Sequence, residues 1–191
     1  MIDIKKRVKG IRRWLEKSSI DCIIIPHDDE YLSEYVPQEN ERLNWITGFT
    51  GSAGSVLLLN NQSHFFTDGR YTEQVKDQIK NCTVHIVGAS HIKAIQDQNL
   101  LSGDMKIGFE SDHLSHSNFK ILKNNFPKIN WKETSQIIEY IAAIKDSNEI
   151  ESLKTAIEIT DTVFDEILPL IKEGVSENEI AATISYKFKQ H

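Results

Sequence analysis

Ile4, Val8, Ile11 and Leu15 recur at steps of four, three and four residues, the spacing that gathers side chains on one stripe of an α-helix. The first 17 residues also carry seven bases and two acids, a local charge of +5. The helical period puts those bases on the remaining faces, so the pattern predicts a docked amphipathic helix with a solvated basic face. Asp21–Pro26 is a short apolar run rich in β-branched residues and closed by proline, which reads as a buried strand. The polar, acidic stretch from His27 to Arg42 reads as a long excursion from the sheet, and long ordered loops are often functional.

Ser55–Leu59 and His64–Thr67 are strand-like runs separated by Asn60-Asn-Gln-Ser63, the layout of a hairpin. Tyr71–Lys80 has helical character, Thr83–Val87 alternates as a strand, and His91–Asn99 suggests a helix. Met105–Phe109 reads as a strand following Ser102-Gly103-Asp104. Leu114, Phe119, Leu122 and Phe126 mark another helix ended by Pro127, with a short strand near Ile129–Trp131. Alternating strands and helices predict an α/β fold, a mixed sheet flanked by helices, with at least one antiparallel pair.

The pattern changes beyond about residue 136. From Asp146 onward ten acids face four bases, and Ile150, Leu153, Ile157, Phe164, Ile167 and Ile171 follow a helix period. Gly174 stops that helix, and Ser176 with Glu179 forms a capping box for another. Helices are expected at roughly 147–172 and 176–190, with boundaries good to about 2–4 residues. Two amphipathic helices without a following partner look like the opening of a second domain.

Length and composition narrow the function classes. At 191 residues the chain holds one domain, or one with part of another. A formal charge of −6 argues against nucleic-acid binding driven by phosphate neutralisation. No apolar run approaches the ~18–20 residues of a membrane helix, and the N-terminus lacks the apolar segment of a secretory signal. Two cysteines, Cys22 and Cys82, are too few for a disulfide framework or a thiolate zinc site, so a reducing cytoplasm is expected.

Gly48-Phe-Thr-Gly51-Ser-Ala-Gly54 is the densest glycine cluster. It lacks the Lys-Ser/Thr ending of a phosphate loop and leads into a strand rather than a helix, so it reads as a turn whose close backbone packing excludes Cβ atoms. In Asp68-Gly69-Arg70-Tyr71 the aspartate is placed to cap a helix, and Arg70 can hold a carboxylate bidentately, within the protein or on a partner. The seven histidines are scattered, and the His113/His116 pair lacks a zinc-site spacing. They are expected on the surface, and no serine or cysteine nucleophile set can be nominated.

Four segments together carry a family resemblance: Cys22-Ile-Ile-Ile-Pro26, Ser33-Glu-Tyr-Val-Pro37, Trp45-Ile-Thr-Gly-Phe-Thr-Gly-Ser-Ala-Gly54 and Phe65-Phe-Thr-Asp-Gly-Arg-Tyr71. In order and spacing they closely resemble the N-terminal domain of Xaa-Pro aminopeptidases (aminopeptidase P), in the creatinase/prolidase superfamily. Ile144–Ile150 and Gly174–Ile180 resemble the start of that family's catalytic domain. The resemblance implies a ribonuclease-H-like creatinase/prolidase domain at 1–135, then a linker and the first helices of a truncated pita-bread metallopeptidase domain at 136–191. Its parent activity is release of an N-terminal residue that precedes proline, by two divalent metals, expected to be manganese, bound by two Asp, one His and two Glu.

Those ligands would lie beyond the two terminal helices, so the resemblance implies no metal, cofactor or catalytic residue in this chain, and no turnover by it alone. Peptides with proline in second position become partners only where the catalytic domain is present. The Ser33–Pro37 and Gly48–Gly54 wording looks most like the three-domain enzymes, whereas the helices here follow almost directly. A shortened two-domain enzyme, an excised fragment and an eroded gene product all stay open. In the resembling family this domain mediates subunit contacts near an active-site mouth. Phe66, Asp68, Arg70 and Tyr71 are therefore the expected substrate or interface residues, in a homo-oligomer without nucleic-acid or membrane partners. The alternative is a stand-alone noncatalytic module that binds peptides or proteins.

Overall fold

The computed structural model describes residues 3–29, 31, 33–88 and 90–191. Two compact units divide the chain after Ala143. In the first, six strands form one sheet in the order β4-β3-β2-β1-β5-β6: β1 Cys22–Pro26, β2 Ser55–Leu59, β3 Ser63–Thr67, β4 Thr83–Ile86, β5 Lys106–Glu110 and β6 Asn130–Thr134. β2 runs antiparallel to both neighbours and every other pairing is parallel. The fold is thus the expected mixed α/β sheet flanked by helices.

Strand alternation sorts the core into two layers. Ile23, Ile25, Val56, Leu58 and Phe65 meet α1 (Ile4–Ser18), α2 (Arg42–Thr47), α3 (Thr72–Gln78) and α6 (Ile137–Ala142) through Val8, Ile11, Leu15, Leu43, Ile46, Val75 and Ile138. Cys22, Leu57, Phe66 and Ile107 meet α4 (His91–Asp97) and α5 (His116–Asn125) through Ala94, Ile95 and Leu122. The first unit therefore takes in α6, which the sequence reading had left beyond residue 135, because Ile138 belongs to its core.

The basic face of α1 is only partly a solvent face. Arg7 is buried on the docked stripe, donates to the Trp45 carbonyl at 2.8 Å and stacks over that indole. Arg12 donates to the Leu59 carbonyl and to Ser63 Oγ at 3.0 and 2.9 Å, clamping both ends of the β2–β3 turn. Two bases thus serve as structural donors, because the stems of long cationic side chains pack on apolar surface while their heads find carbonyls.

The stretch from His27 to Arg42 leaves the sheet as expected, with one 3-10 turn at Gln38–Asn40, and leads into α2, an element that the sequence pattern did not announce. Six residues with two apolar inward positions, Leu43 and Ile46, are too few for a periodic signal. Gly48 closes α2 at φ +80°, a conformation that favours glycine. Asp29, fully buried, organises the preceding loop by accepting from the Tyr31 and Ser33 amides at 3.1 and 2.8 Å. These bonds hold its carboxyl below the usual range. Glu30 and Leu32, part of the excursion read from sequence, lie outside the described residues.

The second unit is a helical pair. α7 (Ser147–Ile167) starts at a capping box of Asp146 and Glu149 and runs into a 3-10 turn at Leu168–Leu170. The helix thus ends at Ile167, short of the residue 172 expected, because Pro169 in that turn cannot continue the helical ladder, and Gly174, at φ +90°, lies beyond the end rather than making it. α8 (Glu177–Gln190) starts at the expected capping box of Ser176 and Glu179. Lys187 pairs with Glu166 at 2.9 Å, tying α8 to α7.

Candidate functional site

Strands β2, β3 and β4 extend the sheet to one side of β1, whereas β5 and β6 extend it to the other. The chain leaves β4, passes through α4 and re-enters the sheet beside β1, so β1 and β5 flank the place where the strand order reverses. In open α/β sheets such a point, at the carboxyl ends of the strands, is the usual place for a ligand crevice. A cleft of about 580 Å³ opens there, at the ends of β1, β3, β4 and β5 and the start of β2.

Its apolar walls include Ile24, Pro26, Ile92, Ile95, Phe109 and Leu122, and its polar groups include His27, Asp28, Ser55, Asp68, Arg70 and His91. Ser55 Oγ lies 2.9 Å from His91 Nδ1. Burial holds the His91 imidazole below the ordinary histidine range, while Asp68 and Asp28 pull the other way. Burial thus favours the neutral ring, with Nδ1 engaged by the serine.

Asp68 caps the turn after β3 as the sequence implied, accepting from the Arg70 amide at 2.9 Å. Arg70 returns along the same carboxylate, Nε to Oδ1 at 3.0 Å and Nη2 to Oδ2 at 2.8 Å. These side-chain bonds hold Asp68 below and Arg70 above their ordinary values. The bidentate pairing read from Arg70 is thus made within the chain, although two-thirds of its side chain stays exposed.

The four residues singled out in sequence do not share one surface. Asp68 and Arg70 line the cleft, but Phe66 is closed inside the second core layer, stacked on His85 at 4.7 Å. Tyr71 turns to the other layer, where its ring meets Phe49 edge-on and its hydroxyl bonds Ser52 N and Oγ at 3.0 and 2.8 Å. The apolar contact area expected of those two rings is used internally.

The glycine cluster behaves as the turn expected of it. A Cβ at Gly51 would sit 2.6 Å from Tyr71 and against Phe49, and one at Gly54 would sit 2.9 Å from Leu43 and Phe65. Close ring packing, not an anion cradle, accounts for both glycines.

The histidines depart from the expected surface placement. His64 and His113 are buried, His64 Nδ1 lies 3.0 Å from His85 Nε2, and His91 lines the cleft. Sequence reasoning missed Ser55 and His91 because 36 residues separate them and only the strand crossover brings them together. It also missed the buried ion pair of Arg42 and Glu110, which bridges α2 to the end of β5.

Burial raises the Cys22 thiol to about 12 and Cys82 to about 11, so neither offers a thiolate nucleophile at neutral pH. Among the described residues, no group of three or more His, Cys, Asp or Glu is placed to hold a metal ion. No helix among them is long and apolar enough to cross a membrane.

Comparison with known proteins places this geometry. An uncharacterized peptidase of Bacillus subtilis is 31% identical over 147 residues, covering 77% of this chain and 42% of its own length. The structure of an Xaa-Pro dipeptidase from Bacillus anthracis superposes with a TM-score of 0.79 at 27% identity, over 98% of this chain and 49% of that one. The X-Pro aminopeptidase of Thermotoga maritima gives 0.70 at 28% identity, over 92% and 48%. The chain thus spans about half the length of these relatives. The creatinase/prolidase N-terminal domain model matches residues 7–143, from the docked face of α1 to the end of α6, and the chain belongs to that family.

Proposed function

We propose that this chain is the N-terminal, non-catalytic portion of a metal-dependent Xaa-Pro aminopeptidase, and that the first unit serves oligomerisation and shapes the substrate entrance of the whole enzyme. The observation that carries the reading is the family match over residues 7–143, together with superposition of nearly the entire chain on about half of an Xaa-Pro dipeptidase. The X-prolyl aminopeptidase of Caenorhabditis elegans, which shares the fold, is a cytosolic enzyme with a di-nuclear active site. By the same reading the whole protein is cytoplasmic. It holds two divalent metals, manganese by preference, in its catalytic domain, where they supply an activated hydroxide and polarise the scissile carbonyl. Its substrates are peptides with proline in second position.

Two features support a role in assembly. Tyr31 and Tyr35, on the loop after β1, are about four-fifths exposed. Ile157, Phe164 and Ile171 of the second unit are more than half exposed, and apolar surface of this kind marks a contact surface. Arg70 stays paired with Asp68 at the cleft, but with two-thirds of its side chain exposed it can extend that pairing to a partner's carboxylate.

The test assays the purified chain with manganese or cobalt and an Xaa-Pro peptide, beside sedimentation over a concentration series with wild type and Arg70→Ala. No turnover with concentration-dependent association is expected. Metal-dependent turnover that survives removal of host peptidases overturns the non-catalytic assignment. A strict monomer overturns the assembly role, and an oligomer indifferent to Arg70→Ala removes Arg70 from the interface.

A further inference from the structure

The cleft beside β1 is a built cavity that the peptidase reading leaves without a ligand. Its volume, about 580 Å³, falls in the range of small-molecule sites, and it combines apolar walls with a few convergent polar groups in the manner of such sites. The charges around it decide what it takes. Arg70, the one cation among the described lining residues, is held bidentately by Asp68, so an anion would have to displace an internal carboxylate to reach it. Glu110 is paired with Arg42. Asp28 is different: among the described residues its carboxylate has no hydrogen bond or ion pair, while its backbone carbonyl is held by Arg42 Nη2 at 3.3 Å. Beside it stands the His91 ring, which lines the cleft and is tied to Ser55 through Nδ1, while Nε2 has no hydrogen bond among the described residues. A negative, partly desolvated rim above aliphatic and aromatic walls favours a cation with an apolar body.

We infer that this cleft binds a small organic ammonium with an apolar body, its charged head at Asp28 and His91 and its body among Ile92, Ile95, Phe109 and Leu122. The head satisfies the Asp28 carboxylate, and the body removes apolar surface from water. The same chemistry is offered by a free amine and by the N-terminus of a peptide with a large apolar first residue. The site lies wholly within the first unit and is independent of the metallopeptidase reading.

Binding is measured on the 191-residue chain by NMR titration with 2-phenylethylammonium, its neutral counterpart 2-phenylethanol and the anion 3-phenylpropanoate. The ammonium is expected to bind about tenfold more tightly than either, with amide shifts centred on Ile92, Ile95 and Leu122. Asp28→Asn removes that preference and leaves 2-phenylethanol unchanged, while Asn118→Trp, which fills the cleft from α5, weakens all three probes. Phenylalanyl-glycinamide separates the sources: tighter binding than the free amine assigns peptide N-termini, and weaker binding assigns small amines. Equal affinities, a preference for the anion, no saturable binding in the millimolar range, or shifts confined to another surface overturn the proposal. So does an ammonium preference that survives Asp28→Asn. Should either variant fail to fold by far-UV circular dichroism, the wild-type ranking and shift map decide the matter.

Discussion

The two compact units solve the burial problem differently. In the first, both sheet faces are covered, and Ile23, Val56, Leu57, Phe65 and Phe66 are closed to solvent. In the second, Val163 and Ile167 are buried, but Ile150, Leu153, Ile157, Phe164 and Ile171 stay between 45% and 61% exposed. One unit has a core of its own, whereas the other is an amphipathic pair whose stripe exceeds what its own two helices cover. A helical period in sequence announces that an apolar face exists, but whether that face is covered depends on which elements surround it.

The sharpest way to break this contrast is to truncate one ring from each unit. Phe65→Ala empties a site enclosed by Phe49, Leu58 and Gly54, and is expected to lower stability to urea by about 3–5 kcal/mol. Phe164→Ala, at a position 61% exposed, is expected to change it by less than about 0.5 kcal/mol. Equal losses would mean that the second unit has a packed core after all.

A comparable loss is expected at the ion pair that joins α2 to β5. Arg42→Met strands the Glu110 carboxylate, whose side chain is fully enclosed. Breaking a buried pair from one side is expected to cost about 3–5 kcal/mol. Recovery of much of that stability in Arg42→Met with Glu110→Leu would identify the loss as desolvation of an unpaired charge, whereas an unrecovered loss would assign it to packing of the guanidinium.

Acid sharpens the contrast next, because the pair of buried His64 and half-buried His85 belongs to the first unit. Burial holds His64 and His85 below the ordinary histidine range, and His64 also feels His85. Between their folded values and about 6.5 the unfolded chain binds more protons than the folded one, so stability falls as pH drops through that window and is level above it. Thermal unfolding between pH 5 and 8 is expected to show this slope, and His64→Gln, which removes one member facing His85 and Gln62, is expected to flatten it. An unchanged slope would place the titration elsewhere.

The smallest expected effect lies at a helix cap in the second unit. Ser176→Ala removes the side-chain acceptor for the Glu179 amide and is expected to weaken α8 by about 1 kcal/mol. Amide exchange should then quicken at Ile180 and its neighbours and stay unchanged in β1 and β2. Protection lost equally in the sheet would show that the two units unfold together.

The amino-acid pattern alone determined the elements whose information is local. The α1 stripe, the β2–β3 hairpin, the Asp68 cap and the Ser176–Glu179 box are legible because a helix period, a turn or a cap needs only residues within a few positions of one another. The order of segments from Cys22–Pro26 to Phe65–Tyr71 was legible for the same reason, and it carried the family. The tertiary structure alone decided what depends on strand order and on neighbours across the sheet. It turned Arg7 and Arg12 inward, enclosed Phe66 and His64, and formed α2, whose six residues are too few to show a period. It also set Ser55 against His91 and Asp28 beside them to make the cleft. No local pattern encodes these, because a side chain's partner is fixed by the crossover that brings β5 back to β1, and a crossover joins residues whose separation in the chain leaves no periodic trace.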